Sequence, residues 1–144
     1  MTGNLLVIGV GNRWRRDDGA GPAVAALVSG AGGRGVALDG EPARLVEAWS
    51  DEPEVVVVDA SCTGGSPGTV RYFGAADLGE ADHPRHGGHA LGVSTAVGLG
   101  RAIGRLPGRL LVIAIEGADF GDGEGLTPAV ARVVRQVAAD LMSP

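Results

Sequence analysis

Aromatic side chains make up only 3% of this 144-residue chain, so its 44% apolar content is carried by Val, Leu, Ile and Ala. Such a composition favours packed sheet and helix layers over an aromatic-rich binding surface. Cysteine is limited to Cys62, which excludes an internal disulfide framework and agrees with a reducing compartment. A basic run is missing too. With 12 basic and 17 acidic residues the net charge is −5, and an acidic domain is a poor partner for nucleic acid, whose binding depends on neutralising phosphates. The one cationic cluster is Arg13, Arg15 and Arg16, expected to flank a loop or a partner's surface. No apolar stretch approaches the ~20 residues that span a bilayer. The start Met1-Thr2-Gly3-Asn4 lacks the basic opening of a secretory signal. The chain is therefore expected to be cytoplasmic, with no membrane partner, and to form a single domain over residues 1–144.

The remaining pattern alternates strands and helices. Residues 5–9 are a continuous apolar run, as in a strand buried on both faces, and 55–58 form a second such strand of four valines. A short strand is expected at 35–38, another at 68–73 after the turn-forming Gly64-Gly65-Ser66-Pro67, and a fifth at 110–115. Helices are expected at 19–28, 44–49 and 91–103, with a last one opening at Thr127-Pro128 as N-cap and first-turn proline. These elements predict a three-layer α/β/α domain with a five-stranded mixed, mostly parallel sheet. The 68–73 strand follows too short a loop for a crossover and is expected to run antiparallel. Residues 74–88, with all three histidines close by or within, are expected to be an irregular loop.

Polar residues interrupt this apolar frame where strands end or helices begin. Asp17-Asp18 follow Gly9-Val10-Gly11-Asn12, Asp59 ends the four-valine strand, and His89 opens a helical segment. In open α/β sheets ligands bind at the carboxyl ends of the strands. Two carboxylates and an imidazole gathered there make a hard-to-borderline metal site or an acid/base set. Each residue also has a purely structural reading. Asp17 and Asp18 can cap the following helix, Asp59 can satisfy loop amides, and His89 can cap its own helix. His83 and His86 read as solvated, Cys62 as a thiol ligand or a small loop residue, and Asp39-Gly40-Glu41 as a binding element or a simple turn. Gly9-Val10-Gly11 suggests a dinucleotide fingerprint with Asp39 as the ribose acid, but Trp14 stands where the third glycine belongs. No nicotinamide or flavin site is expected.

Taken together, these motifs resemble the hydrogenase maturation protease family. The resemblance rests on Gly9-Val10-Gly11-Asn12 followed by Asp17-Asp18-Gly19-Ala20-Gly21, on Asp59-Ala60 and on Pro67-Gly68-Thr69. His89-Ala90-Leu91-Gly92, Ala114-Ile115-Glu116-Gly117 and the closing Gly125-Leu126-Thr127-Pro128 complete it, so that it runs from residue 5 to about 137.

The resemblance implies a phosphorylase/hydrolase-like fold and an endopeptidase. Its substrate would be the large-subunit precursor of a [NiFe]-hydrogenase, which loses a C-terminal extension once nickel is in place. It implies nickel ligation by Asp18, Asp59 and His89, with nickel contacted in the substrate and not held permanently. Asp18 and Asp39 are then the catalytic candidates, with Asp39 or Asp17 activating water, or a metal-bound water attacking directly. Two departures stand out: the first ligand, often Glu in relatives, is Asp18 here, and Gly87-Gly88 precede His89 where Ser or Pro is usual. A monomer is expected. The alternative reading is a non-catalytic metallochaperone or assembly scaffold for the same precursor, built on the same three ligands.

Overall fold

A computed structural model describes residues 4–78 and 88–144 of the chain, with backbone alone for 88–91. Strands β1 (Leu5–Val10), β2 (Arg34–Leu38), β3 (Glu54–Ser61), β4 (Val70–Gly74) and β5 (Arg109–Glu116) form one sheet in the order β2-β1-β3-β5-β4. All neighbours are parallel except β4, which pairs antiparallel with β5. The antiparallel placement of the fourth strand follows from its short connection to β3: a parallel crossover needs a dozen or more residues.

Helices α1 (Ala20–Gly30), α2 (Pro42–Trp49), α3 (Gly88–Ile103) and α4 (Pro128–Met142) cover both faces. Strand alternation divides the core accordingly. Val7, Val56, Val58 and Ile115 pack with Val24, Val28, Val130 and Val134 of α1 and α4. Leu6, Ile8, Val55, Val57 and Val112 pack with Leu45, Trp49, Val93 and Val97 of α2 and α3. This is the three-layer arrangement that the apolar runs predict. Central strands β1 and β3 are buried along nearly their whole length, whereas β2 and β4 at the edges are half exposed.

Several boundaries move outward for local reasons. Helix α2 begins at Pro42, two residues before the expected start, because the Glu41 carboxylate accepts from the N–H groups of Ala43 and Arg44 at 3.1 and 2.9 Å. A 3-10 turn, Arg16–Gly19, precedes α1. Helix α3 starts at Gly88. The expected loop at 74–88 holds a short 3-10 turn at Ala75–Asp77, and its histidines His83 and His86 lie outside the described residues.

The connections leave β1 and β3 in opposite directions: β1 leads by α1 to β2 on one side, and β3 leads toward β5 and β4 on the other. A crevice opens at the carboxyl ends of two such strands. Helix α1 begins right across them. A Cβ at Gly21 would collide with the carbonyl oxygens of Val10 and Val58, and one at Gly9 with the carbonyl of Gly21. Gly9, which imitates the start of a dinucleotide fingerprint, thus serves close helix–strand packing together with Gly21.

Candidate functional site

Asp18 and Asp59 sit at this crevice. Asp59 lies in β3 beside Ala114 of β5, one residue beyond the Gly9–Val58 pair that joins β1 to β3. It is buried at 3% exposure, and its Oδ1 accepts from the N–H of Ala60 at 2.8 Å. Alternation along β3 places Asp59 on the same face as Val55 and Val57, the face that α3 covers. Asp18, in the 3-10 turn after β1, is buried at 4%. Its Oδ2 accepts from the N–H of Asn12 at 2.9 Å. His89 is the second residue of α3, and its side chain lies outside the described residues. The helix reaches the same edge: a Cβ at Gly92, one turn further on, would press into the carbonyl of Gly40, just beyond β2.

Asp17, the neighbour of Asp18, is wholly buried and does something the sequence does not announce. Its Oδ2 accepts from the N–H groups of Ala118 and Asp119 at 2.8 and 3.1 Å and from the Thr127 hydroxyl at 2.7 Å. Its Oδ1 accepts from the Thr127 N–H at 2.8 Å. Burial works to raise its pKa, but these bonds outweigh burial and hold the carboxyl below its ordinary value. The capping expectation for Asp17 and Asp18 is corrected here: α1 starts at Gly19 as N-cap, without a side-chain cap. Thr127 takes its expected place before Pro128 but without the expected side-chain bond. It stands at the N-cap of α4, yet its side chain accepts nothing from the helix and donates to Asp17 instead.

Asp17 is one stitch in a seam between the loop after β1 and the loop after β5. The backbone contributes Arg16 N–H to the Gly123 carbonyl, Gly123 N–H to the Trp14 carbonyl and Asp17 N–H to the Asp119 carbonyl, all at 2.8 Å. Arg13 pairs with Glu124 at 2.7 Å, and the guanidinium groups of Arg15 and Arg16 donate to carbonyls between 120 and 124. The cationic cluster therefore ties loops together. Arg16 adopts φ 48°, a left-handed conformation uncommon outside glycine, held by these contacts on both sides.

Glu116 is a carboxylate that sequence reasoning passed over, seen there only as part of a family motif. It ends β5 at 1% exposure. It accepts from the Ser61 and Thr63 hydroxyls at 3.0 and 2.8 Å and from the N–H groups of Thr63 and Gly64 at 2.8 and 3.1 Å. Arg71 of β4 approaches at 3.4 Å. Glu116 thereby anchors the loop that leaves β3 beyond Asp59, a loop in which Cys62 is exposed. Burial opposes ionisation of Glu116, but the Thr63, Ser61 and Arg71 bonds prevail and lower its pKa below the ordinary 4.5. Since the folded value is the depressed one, its stabilisation is complete above the unfolded pKa and is lost as pH falls from about 4.5 through the folded value. Denaturant midpoints measured down to about pH 2 should show this acid limb, and Glu116→Gln should flatten it while lowering stability at neutral pH.

Asp39 is exposed, with Oδ1 accepting from the Glu41 N–H at 3.0 Å and Oδ2 facing Arg44 at 3.4 Å. It shapes the turn into α2 at the rim, and the buried carboxylates of the crevice are Asp18 and Asp59. Among the described residues no cluster of three or more His, Cys, Asp or Glu is gathered as a preformed metal cage.

The family model described as HycI: Hydrogenase maturation protease matches residues 39–143. The chain belongs to the hydrogenase maturation protease family. Its fold is shared with the hydrogenase maturating endopeptidase HybD from E. coli (TM-score 0.80, 19% identity, covering 96% of this chain and 89% of that one). The [NiFe] hydrogenase maturation protease HybD from Thermococcus kodakarensis is similar (TM-score 0.76, 21% identity, 95% of each chain). So is the endopeptidase HycI from E. coli (TM-score 0.67, 24% identity, 98% and 89%). No curated protein sequence matches the chain. Membership makes it a hydrolase of the endopeptidase type, concerned with hydrogenase maturation. The family match begins at Asp39, so β1 and the Asp17-Asp18 turn are tied to these relatives by fold. No helix among the described residues is long and apolar enough to cross a membrane.

Proposed function

We propose that this endopeptidase trims the C-terminal extension of a [NiFe]-hydrogenase large-subunit precursor, and that Asp18, Asp59 and His89 read the nickel which that precursor carries. The observation that supports the ligand set is the convergence at one sheet edge. Asp18, in the turn after β1, and Asp59, in β3, lie buried where the connections of the two strands diverge, with Asp59 on the face of α3, whose second residue is His89. Two carboxylate oxygens and one imidazole nitrogen suit a borderline cation, and so few donors suit transient contact with a metal held elsewhere. A resident structural metal is better served by four ligands rich in thiolate.

Nickel is thus a feature of the substrate. Contact with it would set the precursor's scissile bond against the crevice, and a carboxylate would activate the attacking water. Asp39 at the rim is the exposed carboxylate for that step. Asp17 is committed to four hydrogen bonds, which argues against it as the base.

The test is a mass spectrum of nickel-loaded and nickel-free precursor incubated with this protein. Loss of one defined C-terminal peptide from the loaded form alone is expected. Equal cleavage of both forms would refute metal reading, and binding of the loaded form without cleavage would identify a scaffold.

A further inference from the structure

Trp14 is 59% exposed, and nothing in the packing accounts for it. It sits two residues before the turn that carries Asp18. Its own backbone is fully committed: the N–H donates to Asn12 Oδ1 at 2.9 Å and the carbonyl accepts from Gly123 at 2.8 Å. The Arg13 guanidinium lies over the ring, 4.7 Å from its centre, and is itself held by Glu124. One ring face is therefore covered by the Arg13 cation, and the loop beneath is stitched on both sides.

The other large exposed apolar residues among those described lie elsewhere. Leu27, Leu99, Ile103 and Met142 fall in the second halves of α1, α3 and α4, which run back to the opposite edge of the sheet. Val36 and Tyr72 lie within the edge strands. Among the described residues, Trp14 is the large exposed apolar side chain that adjoins the turn carrying Asp18.

Resting on the function proposed above, we propose that Trp14 is a docking anchor for the precursor polypeptide, receiving an apolar or aromatic side chain of the precursor on its open face. A rigid indole loses little freedom on binding, which is why tryptophan is over-represented among residues that dominate interface affinity. Continuity with the Asp18 turn makes the precursor the occupant: Trp14 stands two residues before that turn, so a polypeptide brought to Asp18 comes within reach of the ring. Electrostatic attraction is not the basis, since Asp119, Asp122 and Glu124 offset the three neighbouring arginines. The anchor holds substrate and leaves the chemistry to the crevice.

The chain has two tryptophans, and the second, Trp49, is fully buried with its indole N–H on the Arg105 carbonyl at 2.9 Å. Protease labelled with 5-fluorotryptophan should give two fluorine resonances, assigned by Trp14→Phe. Equimolar unlabelled, nickel-loaded precursor, added at a temperature where cleavage is slow, should shift the Trp14 resonance and spare that of Trp49. In processing assays Trp14→Ala should raise KM about tenfold with kcat within about twofold, and Trp14→Phe should recover most of the loss. An unmoved Trp14 resonance at saturating precursor, or an unchanged KM in Trp14→Ala, would overturn the anchor. A shift produced by raising the protease concentration alone would assign the ring to a second copy of this chain and overturn it equally. Failure of the proposed function shows separately, as wild-type protein that leaves the precursor uncut, and the resonance still reports contact in that case.

Discussion

Replacing His89 with alanine should cut processing of nickel-loaded precursor about a hundredfold and leave the fold intact. In the proposed set His89 supplies the single nitrogen, and two carboxylate oxygens alone hold nickel less well than a mixed set with imidazole. Loss of a group that only supports a metal ligand costs roughly 10–100-fold, and loss of a contacting group is expected at or above the upper end of that range. The fold should survive because position 89 lies in the first turn of α3, whereas the core residues of that helix among those described are Val93, Ala96 and Val97. Asp18→Asn should behave alike. Its side-chain carbonyl can still accept from the Asn12 N–H, the bond that Asp18 makes at 2.9 Å, so the turn is retained while the charge is lost. Asp18→Glu should be tolerated, since it restores the charge with one more methylene. Each variant is compared with wild type by mass spectrometry of the precursor and by its thermal unfolding midpoint. Full processing by His89→Ala would remove it from the ligand set and favour a carboxylate-only peptidase.

The largest effect on stability is expected at Asp17. In Asp17→Ala the N–H groups of Ala118, Asp119 and Thr127 and the Thr127 hydroxyl all lose their acceptor. Each orphaned donor costs ~1–3 kcal/mol when buried and less where water enters the loop, so a net loss of about 4 kcal/mol is expected. Asp17→Asn is the instructive companion. Turned so that its carbonyl takes the place of Oδ2, it keeps three of the four donors, but its amide then confronts the Thr127 N–H; about half the loss is expected. Urea denaturation of both variants measures the difference. Asp17→Ala unfolding at the wild-type midpoint would show that the seam between the loops contributes little. Because Asp17 and Asp18 share one turn, loosening this seam should also weaken processing, with Asp17→Asn the milder of the two.

The strands and helices were legible because their periodicities are imposed by burial. The all-apolar runs at 5–9 and 55–58 can only be strands covered on both faces, and they are β1 and β3. The fourth strand's direction followed from chain length alone. The placement of two carboxylates was legible as well: Asp59 in β3 and Asp18 in the turn that follows β1 reach one sheet edge, since parallel strands present their carboxyl ends together. The resemblance to the maturation protease family, carried by short motifs in order, named the activity.

Adjacent residues of like chemistry were beyond sequence reading. Asp17 and Asp18 are the same residue type one position apart, and both were open to a capping reading, although the resemblance singled out Asp18 as a ligand and left Asp17 as a candidate base. Only the folded chain shows what Asp17 does, because a 3-10 turn directs its carboxylate into four donors from residues 118–127 and that of Asp18 toward Asn12. Glu116 was missed for the same reason: its donors at 61–64 are some fifty positions away and meet it only through the β3–β5 register. Local pattern reports what a segment must bury. Which loop donors meet which buried carboxylate depends on where distant segments end, and that is decided by the packing of the whole sheet.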